Sequence, residues 1–237
     1  RSNFTYATLM DENGEEMHKS KGNSIEFQEG ADQMGVDAMR WMYSITNPAS
    51  NLLFGYNRAD DVRRRFLIPL WNVYSFFVTY SNIDGYDGTQ QAPPIKQRPE
   101  LDRWIVSELN ELIRVTTESL DRYDPGNAAR AIEEFVGRLS NWYVRRSRRR
   151  FWKSEVDEDK LAAFATLHSC LTTVVKLMAP FIPFVSEEIY QNIGRANHAD
   201  SVHLEDWPTA DGTLIDQELD EATRLAMRLS SMGRALT

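Results

Sequence analysis

The sequence predicts a mainly α-helical fold, an antiparallel helix bundle preceded by a small α/β segment. Three observations carry that prediction. Apolar residues recur at spacings of three and four over most of the chain beyond residue 59, Gly- and Pro-containing breaks separate those runs, and strand-like composition is confined to the first ten residues. A length of 237 residues with 42% apolar content suits one large domain or two small ones with a genuine core.

Phe4 to Met10 is apolar and β-prone and runs into Asp11-Glu12-Asn13-Gly14, so a short strand and a hairpin-like loop are expected. The polar stretch from Glu15 to Ser24 has little propensity for regular structure. Short helices are predicted around Phe27–Met34 and Val36–Ser44, followed by loop over Pro48–Arg58. Asp60 is placed as the cap of a long helix to about Ser81, with Val62, Phe66, Leu70, Val73, Phe77 and Tyr80 along one side. Gly, Gln and Pro make Asp84–Pro99 a loop. Leu101, Ile105, Leu109, Leu112, Thr116 and Leu120 set a helix over Glu100–Tyr123, and Asp124-Pro125-Gly126-Asn127 breaks it from an Arg-rich helix over Ala128–Lys153. Helices follow at Glu158–Met178 and Pro183–Ile193. Gly194–Leu214 is irregular with one extended piece, Val202-His203-Leu204, and Asp216–Leu236 closes as an amphipathic helix. Two parts are expected, 1–58 and 59–237.

The chain is acidic, with 27 basic and 35 acidic residues and a net charge of −8. Yet five of the six residues from Arg145 to Arg150 are arginines, framed by aromatics. An acidic chain that concentrates positive charge in one segment fits a local anionic partner, not indiscriminate coating of nucleic acid or an anionic membrane. No membrane partner is expected, because the most apolar run, Val174 to Val185, is broken by Lys176, Pro180 and Pro183. The single cysteine, Cys170, excludes an internal disulfide and sits on an apolar stripe, which reads as a buried structural thiol. His18, His168, His198 and His203 have no metal-type spacing, so no metal site is expected. A reducing, cytoplasmic setting fits this composition. The chain opens on Arg1 without a Met and reads as a piece of a longer protein.

At about 100° per residue, Ile132, Phe135, Val136, Leu139 and Tyr143 form the core stripe of the Arg-rich helix. Its continuation reaches Arg146 and Arg150, which are assigned structural roles, paired with carboxylates such as Glu187 or Glu188. Arg138, Asn141, Arg145, Arg148, Arg149 and Trp152 fall on the opposite face, which holds no acid over its last four turns. Like charges three and four apart repel, so such a face favours a phosphate partner over a merely solvated surface. Trp152 suits either stacking on a base or covering a neighbouring loop.

Met17-His18-Lys19-Ser20-Lys21-Gly22-Asn23 supplies point charges, a hydroxyl and a glycine, chemistry that suits a polyphosphate, although the spacing is not that of a Walker loop. An exposed basic loop is the plainer reading of the same residues.

Together these segments resemble a known family. The loop 17–23 resembles the KMSKS signature loop of class I aminoacyl-tRNA synthetases, and Gly35-Val36-Asp37-Ala38-Met39-Arg40-Trp41 is similar to the G-A-D-x-x-R stretch that follows it in the Ile/Val/Leu group. Asn141 to Trp152 is similar to the N-W-Y-[IV]-R-R-S-R-R-R-F-W block of the isoleucyl-tRNA synthetases, as are Met178 to Tyr190 and Ser201 to Pro208 to the blocks after it. The resemblance implies an isoleucine–tRNA ligase whose partner is isoleucine tRNA, with ATP (and magnesium) and isoleucine used only by the intact enzyme and none bound to this piece. It implies that Lys19 is catalytic, stabilising the triphosphate charge, within an ATP-binding loop of Met17, His18, Lys19, Ser20, Lys21, Gly22 and Asn23. Arg138, Asn141, Arg145, Arg148, Arg149 and Trp152 would then meet tRNA. Residues 1–58 would end the catalytic domain, 59–237 would be the anticodon-binding domain, and the chain would be a monomer. Glu16 stands where the family usually has the first lysine and His18 where it usually has serine, which departs from the full set of loop contacts. The alternatives are a valyl-tRNA synthetase piece, which shares the loop and bundle, and a helical protein-interaction module with structural arginines.

The chain has no HIGH-type motif, so isoleucine-dependent ATP–pyrophosphate exchange by this chain alone is expected to stay at background. Exchange above background would overturn that expectation.

Overall fold

The computed structural model describes residues 7–193 and 199–235. Within them two strands, β1 (Leu9–Met10) and β2 (Leu52–Leu53), pair in parallel with Leu9 opposite Leu52 and Met10 opposite Leu53. Phe4 to Tyr6, the start of the expected strand, lie outside the described residues, as do His198 and Leu236. The hairpin-like loop survives as one antiparallel bridge between Met10 and Glu16. β2 corrects the all-loop expectation for Pro48–Arg58, where two residues are too short a run to give a period.

Helices α1 (Phe27–Met34) and α2 (Val36–Ile45) lie between the two strands in the chain. α3 (Tyr56–Val62) runs through a π-helical stretch, Arg63–Leu67, into α4 (Ile68–Asp84). Asp60 is therefore not a cap. It pairs with Arg63 inside the helix, and the cap is supplied from afar. Glu12 accepts the Arg58 backbone N–H at 3.0 Å and the Asn57 side chain at 2.8 Å. A Cβ at residue 55 would lie 2.2 Å from the Glu12 side chain, so glycine there lets the capping carboxylate sit where it does. The π-helical widening ends two residues before Pro69, which has no N–H to give to a regular ladder, and Ile68 bonds back to the Arg63 carbonyl.

α5 (Glu100–Asp121) and α6 (Pro125–Arg138) form the central antiparallel pair. Asp124 caps α6 through the Asn127 N–H at 2.9 Å, so that helix starts three residues ahead of expectation. α6 continues through a second π-helical stretch, Leu139–Val144, into α7 (Arg145–Phe151). α8 (Glu158–Met178), α9 (Pro183–Ile193) and α10 (Gln217–Ala235) complete the bundle. Val202–Leu204 is a short 3-10 turn capped by Ser201, not the extended piece expected, because the serine hydroxyl accepts the His203 N–H.

Trp41, Phe66, Trp104, Phe135, Tyr143, Phe151, Phe164 and Tyr190 are fully buried in one core that runs from α2 to α9, each such side chain contributing about 1.5–3 kcal/mol. α8 is long and apolar enough to cross a membrane by length and composition, but 67% of that apolar window is buried inside the bundle. It is the core helix, and Cys170 lies within it, its thiol pushed well up by burial. The α8–α9 corner is held by α2. Asp37 accepts the Val185 N–H at 2.7 Å, while Arg40 donates to the Phe181 and Pro180 carbonyls at 2.8 and 3.0 Å.

α10 docks on α5 through a buried polar seam. The Ser107 hydroxyl donates to Asp220 at 2.9 Å and accepts the Asp216 N–H at 2.8 Å. Burial pushes the Asp220 carboxyl up to about 6; Ser107 and Arg224 lower it, and the charges of Glu108 and Asp216 raise it further. The folded chain thus holds this proton more tightly than the unfolded chain does. The docking of α10 is expected to be strongest below the unfolded value of about 4 and to weaken as pH rises through about 6. Amide exchange in α10 followed across that range checks it, and Asp220→Asn should abolish the pH dependence.

Candidate nucleic-acid interface

The Arg-rich helix is fixed from its inner side. Asp102, in the first turn of α5 and 0% exposed, accepts both terminal nitrogens of Arg150 at 2.6 and 2.7 Å and the Tyr143 hydroxyl at 2.8 Å. Arg150 also reaches the Asp159 carboxylate at 2.8 Å. Two parallel N–H bonds to a buried carboxylate are the strong form of this pairing. Phe151 wedges between Phe76 and Phe164, with ring centroids 5.0 and 4.9 Å away. Buried Lys160, in the first turn of α8, spans Asp84 at 2.6 Å and the Lys153 carbonyl at 2.7 Å.

Arg150 thus points inward but meets Asp102 and Asp159, not Glu187 or Glu188. Glu187 instead accepts the Val202 N–H and the Ser201 hydroxyl, and Glu188 the Asn192 amide. Arg146 does not point inward. It is exposed, with its guanidinium carbon 3.7 Å above the centre of the Trp142 ring. The cause is the π-helical stretch Leu139–Val144. Its wider turns lag a 100° rotation, so Ser147 and Phe151 take the buried positions and Arg146 swings to the outside. A wheel drawn as a regular α-helix has no means of registering that lag.

Asn141, Arg145, Arg148 and Arg149 are exposed, and Trp152 is 56% exposed. Among the described residues, Arg145, Arg146, Arg148 and Arg149 have no carboxylate partner, whereas Arg63, Arg64, Arg114 and Arg122 each have one three or four residues away. Arg138 corrects the expected outer face. It is half-buried, 3.0 Å from Glu108, which is itself 1% exposed and also holds Arg224 of α10. Glu108 lies far from Arg138 in sequence, so helical spacing within the Arg-rich segment alone does not reveal it.

The loop before α1 is shaped by Asn23. Its side-chain Oδ1 accepts the His18 N–H at 2.9 Å, and its side-chain amide N–H groups donate to Asp11 at 3.0 Å and to the Glu16 backbone carbonyl at 3.1 Å. Lys19–Lys21 form a 3-10 turn closed by Gly22, whose φ of 70° favours glycine. Lys19 is 83% exposed and 2.8 Å from Glu26, which raises its pKa. Met17 packs against the core, and Ser20 and Lys21 are exposed. Among the described residues no group of His, Cys, Asp and Glu has metal-binding geometry.

A family model for the anticodon-binding domain of tRNA ligase matches residues 102–236. The isoleucine–tRNA ligase of Dehalococcoides mccartyi (strain CBDB1) is 52% identical over 231 residues, covering 96% of this chain and 23% of that protein. That of Thermus thermophilus is 43% identical over 235 residues, covering 97% of this chain and 22% of that protein. This chain therefore spans less than a quarter of the length of these relatives. The LeuRS of Agrobacterium radiobacter K84, solved in a ternary complex with tRNA and LeuAMS, shares the fold. Its TM-score is 0.69 at 22% identity, over 90% of this chain and 24% of that one.

Removing the Arg150 side chain leaves Asp102 buried and charged, so Arg150→Ala should cost about 3–5 kcal/mol. Arg146→Ala should cost no more than about 1 kcal/mol, the size of a surface cation–π contact. Urea denaturation of the two variants separates them, and equal losses would overturn this division.

Proposed function

Since this chain belongs to the anticodon-binding domain family of tRNA ligases, we propose that it is the tRNA-gripping part of an isoleucine–tRNA ligase and that isoleucine tRNA is its partner. The observation that carries this reading is the uncompensated arginine face. Arg145, Arg146, Arg148 and Arg149 stand without carboxylates beside Asn141 and Trp152 on a helix whose other side is locked by Arg150 and Phe151. Charge held out of ion pairs on a rigid support is suited to a phosphate backbone, because nothing has to be broken before it binds. Arg138 contributes by holding α10 through Glu108 and not by direct contact.

Residues 1–58 close the catalytic domain in this reading and 59–237 form the anticodon-binding domain. In the intact enzyme ATP is the substrate of the loop. Lys19 leaves Glu26 and stabilises the charge that develops on the triphosphate, with Ser20, Lys21 and the Gly22 N–H nearby and Asn23 setting the loop's shape. Activation of isoleucine belongs to that larger protein, and this chain by itself binds without catalysing. Its setting is cytoplasmic and its state monomeric.

Binding of isoleucine tRNA across a salt series tests this reading. The affinity should fall steeply with salt. Arg145→Glu with Arg149→Glu should lower affinity by about tenfold or more and flatten the salt slope by roughly one per lost contact. Unchanged binding by that variant would reject the arginine face. Preferential binding of valine tRNA would move the chain to the valyl group, and absence of any RNA binding would leave the arginines to a protein partner.

A further inference from the structure

We propose that the Trp142–Arg146 stack is a platform for one unpaired RNA base, and that Arg145 and Arg149 take the phosphates on either side of that base. The proposal rests on the reading of this face as RNA-binding and adds a defined subsite to it.

Trp142 packs against the core and is held in the π-helical stretch Leu139–Val144, so its ring is a fixed support. Arg146 lies over that ring at 3.7 Å and is otherwise exposed. One face of the guanidinium is therefore covered by indole and the other is open. A guanidinium is planar, its N–H groups point outward in its own plane, and its faces are weakly hydrated. The open face suits a second flat π-system, and unpaired RNA bases stack on arginine planes as they do on aromatic rings.

The neighbours supply the rest of a nucleotide site. Trp142 and Arg146 occupy one i, i+4 row, and Arg145 and Arg149 the adjacent one. No carboxylate on the described surface neutralises either row. A stack made only for helix stability would leave nothing to explain the unpaired charges beside it, whereas Arg64, Arg114 and Arg122 each carry an acid three or four residues away. The π-helical widening also brings Arg146 outward in the first place, and such irregular turns are frequent at functional sites.

The test uses this chain and the anticodon stem–loop of isoleucine tRNA, with 2-aminopurine replacing each loop base in turn. One position should be quenched on binding. Arg146→Lys keeps the charge and removes the plane. It should cost about tenfold in affinity, on the order of one stacked base, abolish that quenching and leave the salt slope unchanged. Arg145→Ala should flatten the slope and keep the quenching. Trp142→Leu, checked for folding by its thermal melt, should behave as Arg146→Lys does. If Arg146→Lys binds and quenches like the parent chain while Arg145→Ala weakens binding, the platform is wrong and the RNA-binding reading stands. If none of these variants alters binding, both fall.

Discussion

The buried carboxylate of Asp102 is the interaction on which the rest of this structure depends. A fully buried negative charge is tolerated only when it is paired and hydrogen-bonded, and Asp102 receives both arms of Arg150 and the Tyr143 hydroxyl. Those three bonds fix the rotation of α7 about its axis and tie it to the first turn of α5. Burial, helped by the Asp102 charge and opposed by Arg150, raises the Tyr143 hydroxyl well above its ordinary range, so it stays a neutral donor. With the inner side fixed in this way, the outer side has a defined orientation.

The basic segment therefore divides its work by depth. Arg150, together with Lys160 of the neighbouring helix, is spent on buried Asp102 and half-buried Asp84, and binds the ends of four helices together, α4, α5, α7 and α8. Arg138 reaches across to Glu108, where it joins Arg224 in holding the C-terminal helix. Within this segment Arg145, Arg146, Arg148 and Arg149 are left in solvent without acids among the described residues. An acidic protein can present a concentrated positive face because the arginines needed for folding and those offered to a partner are different residues.

Much of this was legible in the sequence. The periodicities of α5 and α8 and the Asp–Pro–Gly–Asn break place the bundle, and composition alone isolates the basic segment. Three things were not legible, for physical reasons. The parallel pairing of Leu9 with Leu52 joins runs too short to carry a period. The π-helical stretches change the angle per residue without any residue type that announces it, and this moved Arg146 from the inside to the surface. Partners distant in the chain, such as Glu108 for Arg138, Asp102 for Arg150 and Glu12 for the start of α3, follow from tertiary packing and not from spacing.

The grip of α2 on the α8–α9 corner has a consequence for how the chain can vary. Asp37 and Arg40 meet main-chain groups, the N–H of Val185 and the carbonyls of Pro180 and Phe181, which every sequence presents with the same polarity. A side-chain ion pair can exchange its signs when both members mutate together. This one has no partner side chain to mutate. A chain that keeps this corner therefore needs an acceptor at position 37 and a donor at position 40, and neither can be exchanged for the other by a compensating change elsewhere.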